Sequence, residues 1–221
     1  MDNLSRALVD LPRVRREIAI GGRAWVVETV EDEDALLAAS ETSAQFPFGL
    51  MLWESAIALA EDILAEPHLV AGKSVLELGC GIGLTGTIAA HLGAHVTATD
   101  HDGSALEAAQ RTARLNGVSD LKIAPGDWTD WRIPGRFDVI LAADVTYDAA
   151  HHDALLSVLD HALTPGGTVR LADPGRTSQG AFRAAAKASG WTVACVKRAV
   201  ADLKRPNATV DVTMLTLVRR R

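Results

Sequence analysis

Two groups of residues have types and spacings that could do chemistry. The first lies in Ser74-Val75-Leu76-Glu77-Leu78-Gly79-Cys80-Gly81-Ile82-Gly83-Leu84-Thr85-Gly86, where Gly79, Gly81 and Gly83 fall at every second position after Glu77. A turn without side chains lets a ligand approach the backbone, and glycine tolerates the positive φ that such a turn requires. A helix starting directly afterwards aims its free N–H groups at whatever lies over the turn. The arrangement suits a nucleotide-like molecule. Gly81, Gly83 and Gly86 also satisfy G-x-G-x-x-G, and Asp100 follows as an acidic residue at nearly the dinucleotide-binding spacing, so a nicotinamide dehydrogenase is an open alternative. Glu77 argues against it. A fixed negative charge gains nothing beside a pyrophosphate, whereas a ligand carrying an ammonium and a sulfonium gains from it.

The second group is Asp144 and Tyr147 in Ala142-Ala143-Asp144-Val145-Thr146-Tyr147. A carboxylate at a pocket mouth can receive an ammonium, and a phenol can fix a nitrogen's direction. The plainer reading makes Asp144 a helix cap and Tyr147 a packing residue. Asp148 is better placed than Asp144 to cap a helix starting near residue 149.

The elements that must position these groups alternate after residue 70. Apolar runs predict strands near 75–79, 95–100, 121–124, 137–143 and 168–173, with helices near 84–92, 103–115, 150–163 and 179–189. Two further β segments, 191–197 and 208–218, meet around Pro206-Asn207 without a helix between them, so they pair antiparallel or leave the sheet. Upstream, Arg16 to Val30 reads as a hairpin around Gly21-Gly22. The acidic run Glu31–Asp34 reads as a solvated helix start, and Leu50 to Leu64 as an amphipathic helix ended by Pro67. In a doubly wound sheet, ligands bind outside the carboxyl ends of the strands where the strand order reverses. That rule brings the end of the 75–79 strand and the end of the 137–143 strand to one place.

Composition narrows the class. A chain of 221 residues with 48% hydrophobic and 23% charged residues supports one α/β core with a small appendage. Net charge −6 argues against a general nucleic-acid binder. The basic clusters Arg13, Arg15, Arg16 and Arg219 to Arg221 read as solvated ends. Two cysteines form no disulfide framework and suit a reducing compartment. No apolar run reaches membrane-spanning length and no signal-peptide core is present, so a cytoplasmic location is expected. The adjacent His151 and His152 diverge on a helix, and His91 and His95 straddle Gly93, so no metal site is expected.

The string E-L-G-C-G-I-G resembles the first motif of the seven-strand S-adenosylmethionine-dependent methyltransferases. The resemblance implies a Rossmann-like, doubly wound α/β sheet of order 3-2-1-4-5-7-6 with an N-terminal β-hairpin and helix. It divides the chain into an extension over 1–45 and a methyltransferase domain over 46–221. It also implies that Glu77 orients the methionine end of the cofactor and that Asp100 holds the ribose hydroxyls. Asp127 and Trp128 resemble the adenine-contacting segment. Gly79, Cys80, Gly81, Gly83, His101 and Ala143 complete the implied cofactor-contacting set, with S-adenosylhomocysteine as product. Trp53 falls where the family places a tryptophan near the cofactor, although the family usually follows it with proline and here Glu54 follows.

D-x-x-Y at Asp144 and Tyr147 is similar to the protein-lysine methyltransferases of this class. Enzymes acting on base amino groups carry proline-containing motifs there, and this segment has no proline. A lysine amine has a pKa near 10.4, so only about one in a few thousand is neutral at pH 7. Such an enzyme must accept the ammonium, strip its water and orient the nitrogen. The resemblance makes Asp144 and Tyr147 the catalytic pair, with no metal. Asp173-Pro174-Gly175-Arg176, together with Asp148 after Tyr147, is similar to the branch that methylates lysines on the β-subunit of electron transfer flavoprotein. The implied partner is therefore a protein substrate, with that β-subunit as the named candidate, acted on by a monomer. It would dock on the N-terminal hairpin and the loop after Arg176. A small-molecule methyltransferase on the same fold, or a cofactor-binding protein without turnover, is the alternative.

Overall fold

The computed structural model describes residues 12–32, 34, 36 and 47–219. Nine strands and five α-helices are defined there. They run β1 (Arg13–Ile20), β2 (Arg23–Val30), α1 (Glu54–Ala65), β3 (Ser74–Leu78), α2 (Leu84–His91), β4 (His95–Asp100), α3 (Gly103–Leu115) and β5 (Lys122–Pro125), then β6 (Phe137–Ala143), α4 (His152–Ala162), β7 (Leu163–Asp173), α5 (Gln179–Ala188), β8 (Trp191–Ala201) and β9 (Thr209–Arg219).

Seven strands form one sheet in the order β5-β4-β3-β6-β7-β9-β8. Counted within the sheet alone, this is the expected 3-2-1-4-5-7-6. Pairs among β3 to β7 are parallel, while β9 runs antiparallel to both β7 and β8. The link from β8 to β9 is too short for a crossover helix, so the last two strands must fold back on each other. The sheet carries a core on each face. One contains residues of α1, α2 and α3, and the other Leu155, Leu159, Phe182 and Trp191 from α4, α5 and the start of β8.

β1 and β2 pair antiparallel around Gly21 and Gly22, which take φ of 60° and 77°. Alternation places Ile20, Trp25, Val27 and Val30 in the same core as α1 and α2. The outer edge of β2 is satisfied by a side chain. Asn116, just after α3, accepts from the Val26 amide at 3.0 Å and donates to the Val26 carbonyl at 2.7 Å. Arg111 of α3 pairs with Glu28 at 2.7 Å. The hairpin therefore spends one face on the core instead of offering both to a partner.

Several boundaries differ from expectation. The helix expected from Leu50 starts at Glu54, because Phe48–Leu50 form a 3₁₀ turn and Trp53 is extended (φ −114°, ψ 144°). α4 starts at His152 because Ala149–His151 form another 3₁₀ turn, capped by the Asp148 carboxylate on the Ala150 amide at 2.9 Å. β7 starts at Leu163 instead of residue 168, with a register shift against β6 between Phe137 and Val139 that absorbs Pro165-Gly166. β8 continues to Ala201. In the acidic run, Glu31, Asp32 and Asp34 are exposed and Glu33 lies outside the described residues.

The last difference bears on the site. β7 ends at Asp173 opposite Thr213, yet β8 and β9 remain paired out to Ala201 and Thr209. This hairpin overhangs the sheet on its carboxyl-end side. Its tip returns to the start of α1, where the Leu203 amide donates to Glu54 at 3.3 Å.

Candidate active site

β3 is buried along Val75 to Leu78 and delivers Glu77 to the carboxyl end of the sheet. Glu77 is 3% exposed, and its Oε2 has no hydrogen-bond partner. Burial pushes its carboxyl up to about 8; the Gly86 amide opposes the shift and the neighbouring Asp100 adds to it. A buried acid with a free oxygen lacks a cationic partner.

The turn after β3 takes positive φ at Gly79, Gly81 and Gly83 (63°, 50° and 77°). Not every glycine serves a ligand. A Cβ on Gly83 would lie 2.5 Å from the Ala109 Cβ of α3, so that glycine exists for helix packing. A Cβ on Gly86 would collide with the Glu77 carboxylate, so α2 approaches Glu77 only because the residue is glycine. The turn itself is braced by the Cys80 amide on the Thr99 carbonyl at 2.9 Å. The Cys80 thiol is buried and its pKa is raised well above normal by that burial, so it is no nucleophile.

Asp100, at the end of β4, accepts the Gly81 amide on Oδ2 and the Asp102 amide on Oδ1, both at 3.0 Å. It thereby ties the glycine turn to the β4–α3 turn while leaving lone pairs for a ligand hydroxyl. His101 Nδ1 lies 3.3 Å from Asp100, its side chain is 73% exposed, and its pKa is raised chiefly by that contact. Trp128 reaches the turn from the other side: a Cβ on Gly79 would stand 3.5 Å from its ring and 3.1 Å from Val145. Asp127 is exposed and caps its own turn, accepting the Thr129 amide at 2.8 Å and hydroxyl at 2.7 Å, and these bonds lower its pKa. The structure thus brings Glu77, Gly79, Gly81, Asp100 and Trp128 around one turn. It gives Gly83 a packing role and leaves His101 and Asp127 on the rim.

The second group stands beside the first. Ala143 ends β6, and Asp144 follows in the left-handed region at φ 54°, with its amide on the Ala172 carbonyl at 2.8 Å. Aspartate tolerates that conformation better than most residues. The Asp144 carboxylate, expected to receive an ammonium, is engaged by a side chain of its own fold. Arg176 donates Nε to Oδ1 at 3.0 Å and Nη2 to Oδ2 at 2.6 Å, a bidentate pair. That bond raises the Arg176 pKa. Tyr147 is 44% exposed, and burial of its ring with the nearby acids Asp100, Asp148 and Asp144 raises its pKa, so it keeps its proton near neutrality. Phe48 lies 6.1 Å from the Tyr147 ring and 6.3 Å from Trp53. The three aromatics thus stand together, with Phe48 between the other two.

Sequence reasoning missed two parts of this site. Phe48 carries no signal in the sequence beyond its nearness to Trp53. Arg176 follows a turn-forming Asp-Pro-Gly, and nothing in its spacing from Asp144 signals a pair. The turn is braced from within: buried Asp173 accepts the Gly175 and Arg176 amides at 2.7 and 2.8 Å.

Two cavities lie elsewhere. One of about 280 Å³ is lined by Lys73, Asp138 and Thr164–Thr168 at the amino ends of β6 and β7; another of about 360 Å³ lies between α1 and the β8–β9 face. Arg170 lines both, but its guanidinium is already satisfied by Asp62 and Thr216, so neither offers free chemistry there. Among the described residues no three His, Cys, Asp or Glu side chains could hold a metal, and no helix is long and apolar enough to cross a membrane.

Comparisons with known proteins bear on the family and the fold. A family model described as lysine methyltransferase matches residues 31–181. The electron transfer flavoprotein beta subunit lysine methyltransferase of Rattus norvegicus is 36% identical over 132 residues, covering 59% of this chain and 51% of that protein. EEF1A lysine methyltransferase 3 of Mus musculus is 34% identical over 140 residues, covering 59% and 57%. The chain spans about half the length of the curated relatives it matches. Among solved structures, the magnesium protoporphyrin IX methyltransferase of Synechocystis PCC 6803 with bound SAM superposes with TM-score 0.60 at 16% identity, covering 86% of this chain and 92% of that one. The ribosomal protein L11 methylase of Lactobacillus delbrueckii subsp. bulgaricus gives TM-score 0.57 at 23% identity, covering 76% and 78%. Those two likenesses establish the fold.

Proposed function

The chain belongs to the lysine methyltransferase family, and on that premise we propose that it moves methyl groups from S-adenosylmethionine to lysine side chains of a protein. The observation that carries the reading is Glu77: a buried carboxylate with an unpartnered oxygen, beside a glycine turn and within reach of Asp100. It fits a ligand with a cationic amino-acid end and a sugar diol. The cofactor supplies a methyl group already activated on a sulfonium.

In this reading Glu77 takes the cofactor's ammonium, and Gly79, Cys80 and Gly81 provide backbone without side-chain obstruction. Asp100 accepts from the ribose, with His101 at its edge. Trp128 and Asp127 face the adenine, and Ala143 and Trp53 border the methionine end. Gly83 acts at one remove, by letting α2 sit against α3. Asp144 and Tyr147 define the acceptor side. Tyr147 keeps its proton and can direct the acceptor nitrogen, while the aromatic rings shed water from an entering aliphatic chain.

The acceptor belongs to a folded protein, with the β-subunit of electron transfer flavoprotein as the first to test, since that protein appears in a relative's name. We place its docking surface at the site mouth, where exposed Phe48 and Tyr147 lie against each other, with exposed Leu203 at the hairpin tip that reaches Glu54. Residues 46–221 are read as the catalytic domain with 1–45 as an extension, acting as a cytoplasmic monomer. Calorimetry against S-adenosylmethionine, S-adenosylhomocysteine and NAD tests the cofactor; binding of NAD alone would sink the reading. Labelled cofactor added to a native proteome and to the purified flavoprotein, with identification of the labelled residue, tests the acceptor. Label on small molecules only would move the protein to the small-molecule class.

A further inference from the structure

Four contacts lead from the acceptor side to the cover of the glycine turn. Arg176 holds Asp144 through two hydrogen bonds of 3.0 and 2.6 Å. The same guanidinium lies over the indole of Trp53, 5.6 Å from the ring centroid. Trp53 Nε1 donates to the Phe48 carbonyl at 3.0 Å. Phe48 opens the 3₁₀ turn Phe48–Leu50, whose Gly49 passes over the glycine turn: a Cβ on Gly49 would lie 3.5 Å from Gly81 Cα and 3.6 Å from Asp100 Oδ2.

The anchor end is rigid. The Arg176 amide is bonded to buried Asp173 and the Asp144 amide to Ala172, so the pair joins two fixed backbones. The Asp144 side chain is only 7% exposed while that of Arg176 is 39% exposed, so the pair is buried on the carboxylate side and partly screened by solvent on the other. Arginine is suited to the double task, because its planar fork can grip a carboxylate along one edge while its face lies against an aromatic ring. Lysine can do one or the other.

We propose that Arg176 is a positioning residue: paired with Asp144, it clamps Trp53 and so holds residues 48–53 closed over the glycine turn. The clamp rests on the cofactor reading only for its purpose, which is to order the cover before the cofactor arrives, so that binding does not have to order it. Asp144 then serves the cofactor side as well as the acceptor side. A rival account, in which Arg176 merely fills the seat of the acceptor amine until substrate displaces it, leaves the cover indifferent to the pair.

The test uses the full chain and two measurements. Asp144→Asn with Arg176→Gln removes the clamp without leaving a buried charge unpaired, and Arg176→Lys keeps the charge but loses the fork. The first measurement is hydrogen exchange, without cofactor, at the Leu50 and Met51 amides, which donate to Pro47 and Phe48 at 3.0 and 3.3 Å. The second is calorimetric affinity for S-adenosylhomocysteine. We expect exchange about 10-fold faster at Leu50 and Met51 and affinity about 10-fold weaker in the double variant, a size usual for coupled sites. Arg176→Lys should fall between. The Gly83 amide, bonded to Cys80 at 2.8 Å, should keep its protection and so report an intact fold. Unchanged exchange at Leu50 and Met51 in both variants overturns the clamp. Should the unmodified protein not bind S-adenosylhomocysteine, the cofactor reading fails, and the exchange result still decides the clamp.

Discussion

Two buried carboxylates near the carboxyl ends of their strands, Glu77 on β3 and Asp173 on β7, behave in opposite ways. Asp173 is fully buried and saturated: it accepts the Thr146 hydroxyl, the Gly175 and Arg176 amides and the Gln179 side chain, the last three at 2.7, 2.8 and 3.0 Å. Glu77 is as deeply buried yet leaves Oε2 without a partner, and its pKa rises to about 8. A carboxylate whose lone pairs are filled by its own chain is scaffold. One left unfilled at a cost to stability is kept for something that arrives later. The contrast separates the part of the site that shapes the turn from the part that meets a ligand.

The contrast breaks first at Asp173. Asp173→Ala strands four donors, so we expect a loss of about 3–5 kcal/mol, which lowers Tm by roughly 10 °C, read by calorimetric melting. An unchanged Tm would remove Asp173 from the scaffold. Glu77→Gln should do the reverse. The fold survives while affinity for S-adenosylhomocysteine falls by about 10- to 100-fold, through loss of one charge-assisted interaction.

The pH dependence sharpens the same point. Burial pushes the Glu77 carboxyl up to about 8 in the folded protein, from an ordinary 4.5. Between these values the folded state binds more protons than the unfolded state, so stability falls as pH rises from about 4.5 to about 8 and levels off above. Glu77→Gln should flatten that slope in unfolding titrations, and a slope that persists unchanged would assign it to other groups. Smaller effects lie on the acceptor side. Tyr147→Phe should cut methyl transfer about 10-fold, with cofactor affinity within about 2-fold, because a lost phenol proton misdirects the acceptor without touching the turn. The smallest is a local cap: Asp102 accepts the Ser104 amide at 2.8 Å at the start of α3, and Asp102→Ala should cost about 1 kcal/mol.

Much of this molecule is legible in the chain. The alternation of apolar runs and amphipathic segments places β3, α2, β4, α3 and β6 within a residue or so of their observed bounds, since each is dictated by a repeat along its own backbone. The antiparallel closure by β8 and β9 follows from the absence of room for a crossover. The glycine turn, Glu77 and Asp100 are equally readable, because a strand, a turn and a helix start are contiguous in sequence.

Other features depend on which strands become neighbours. Arg176 meets Asp144 across 32 residues because β6 and β7 are adjacent in the sheet. Phe48 and Tyr147 meet although they lie far apart in the chain. Gly83 is needed because Ala109 packs on it, and the β1–β2 hairpin lies on the core because Asn116 waits at the end of α3. Local periodicity and turn chemistry are written residue by residue, so the sequence alone determined the elements and the backbone-built half of the site. Side-chain pairs between distant elements exist only once strand order and register are set, so the tertiary structure decided the Arg176–Asp144 pair and the contact of Arg176 with Trp53.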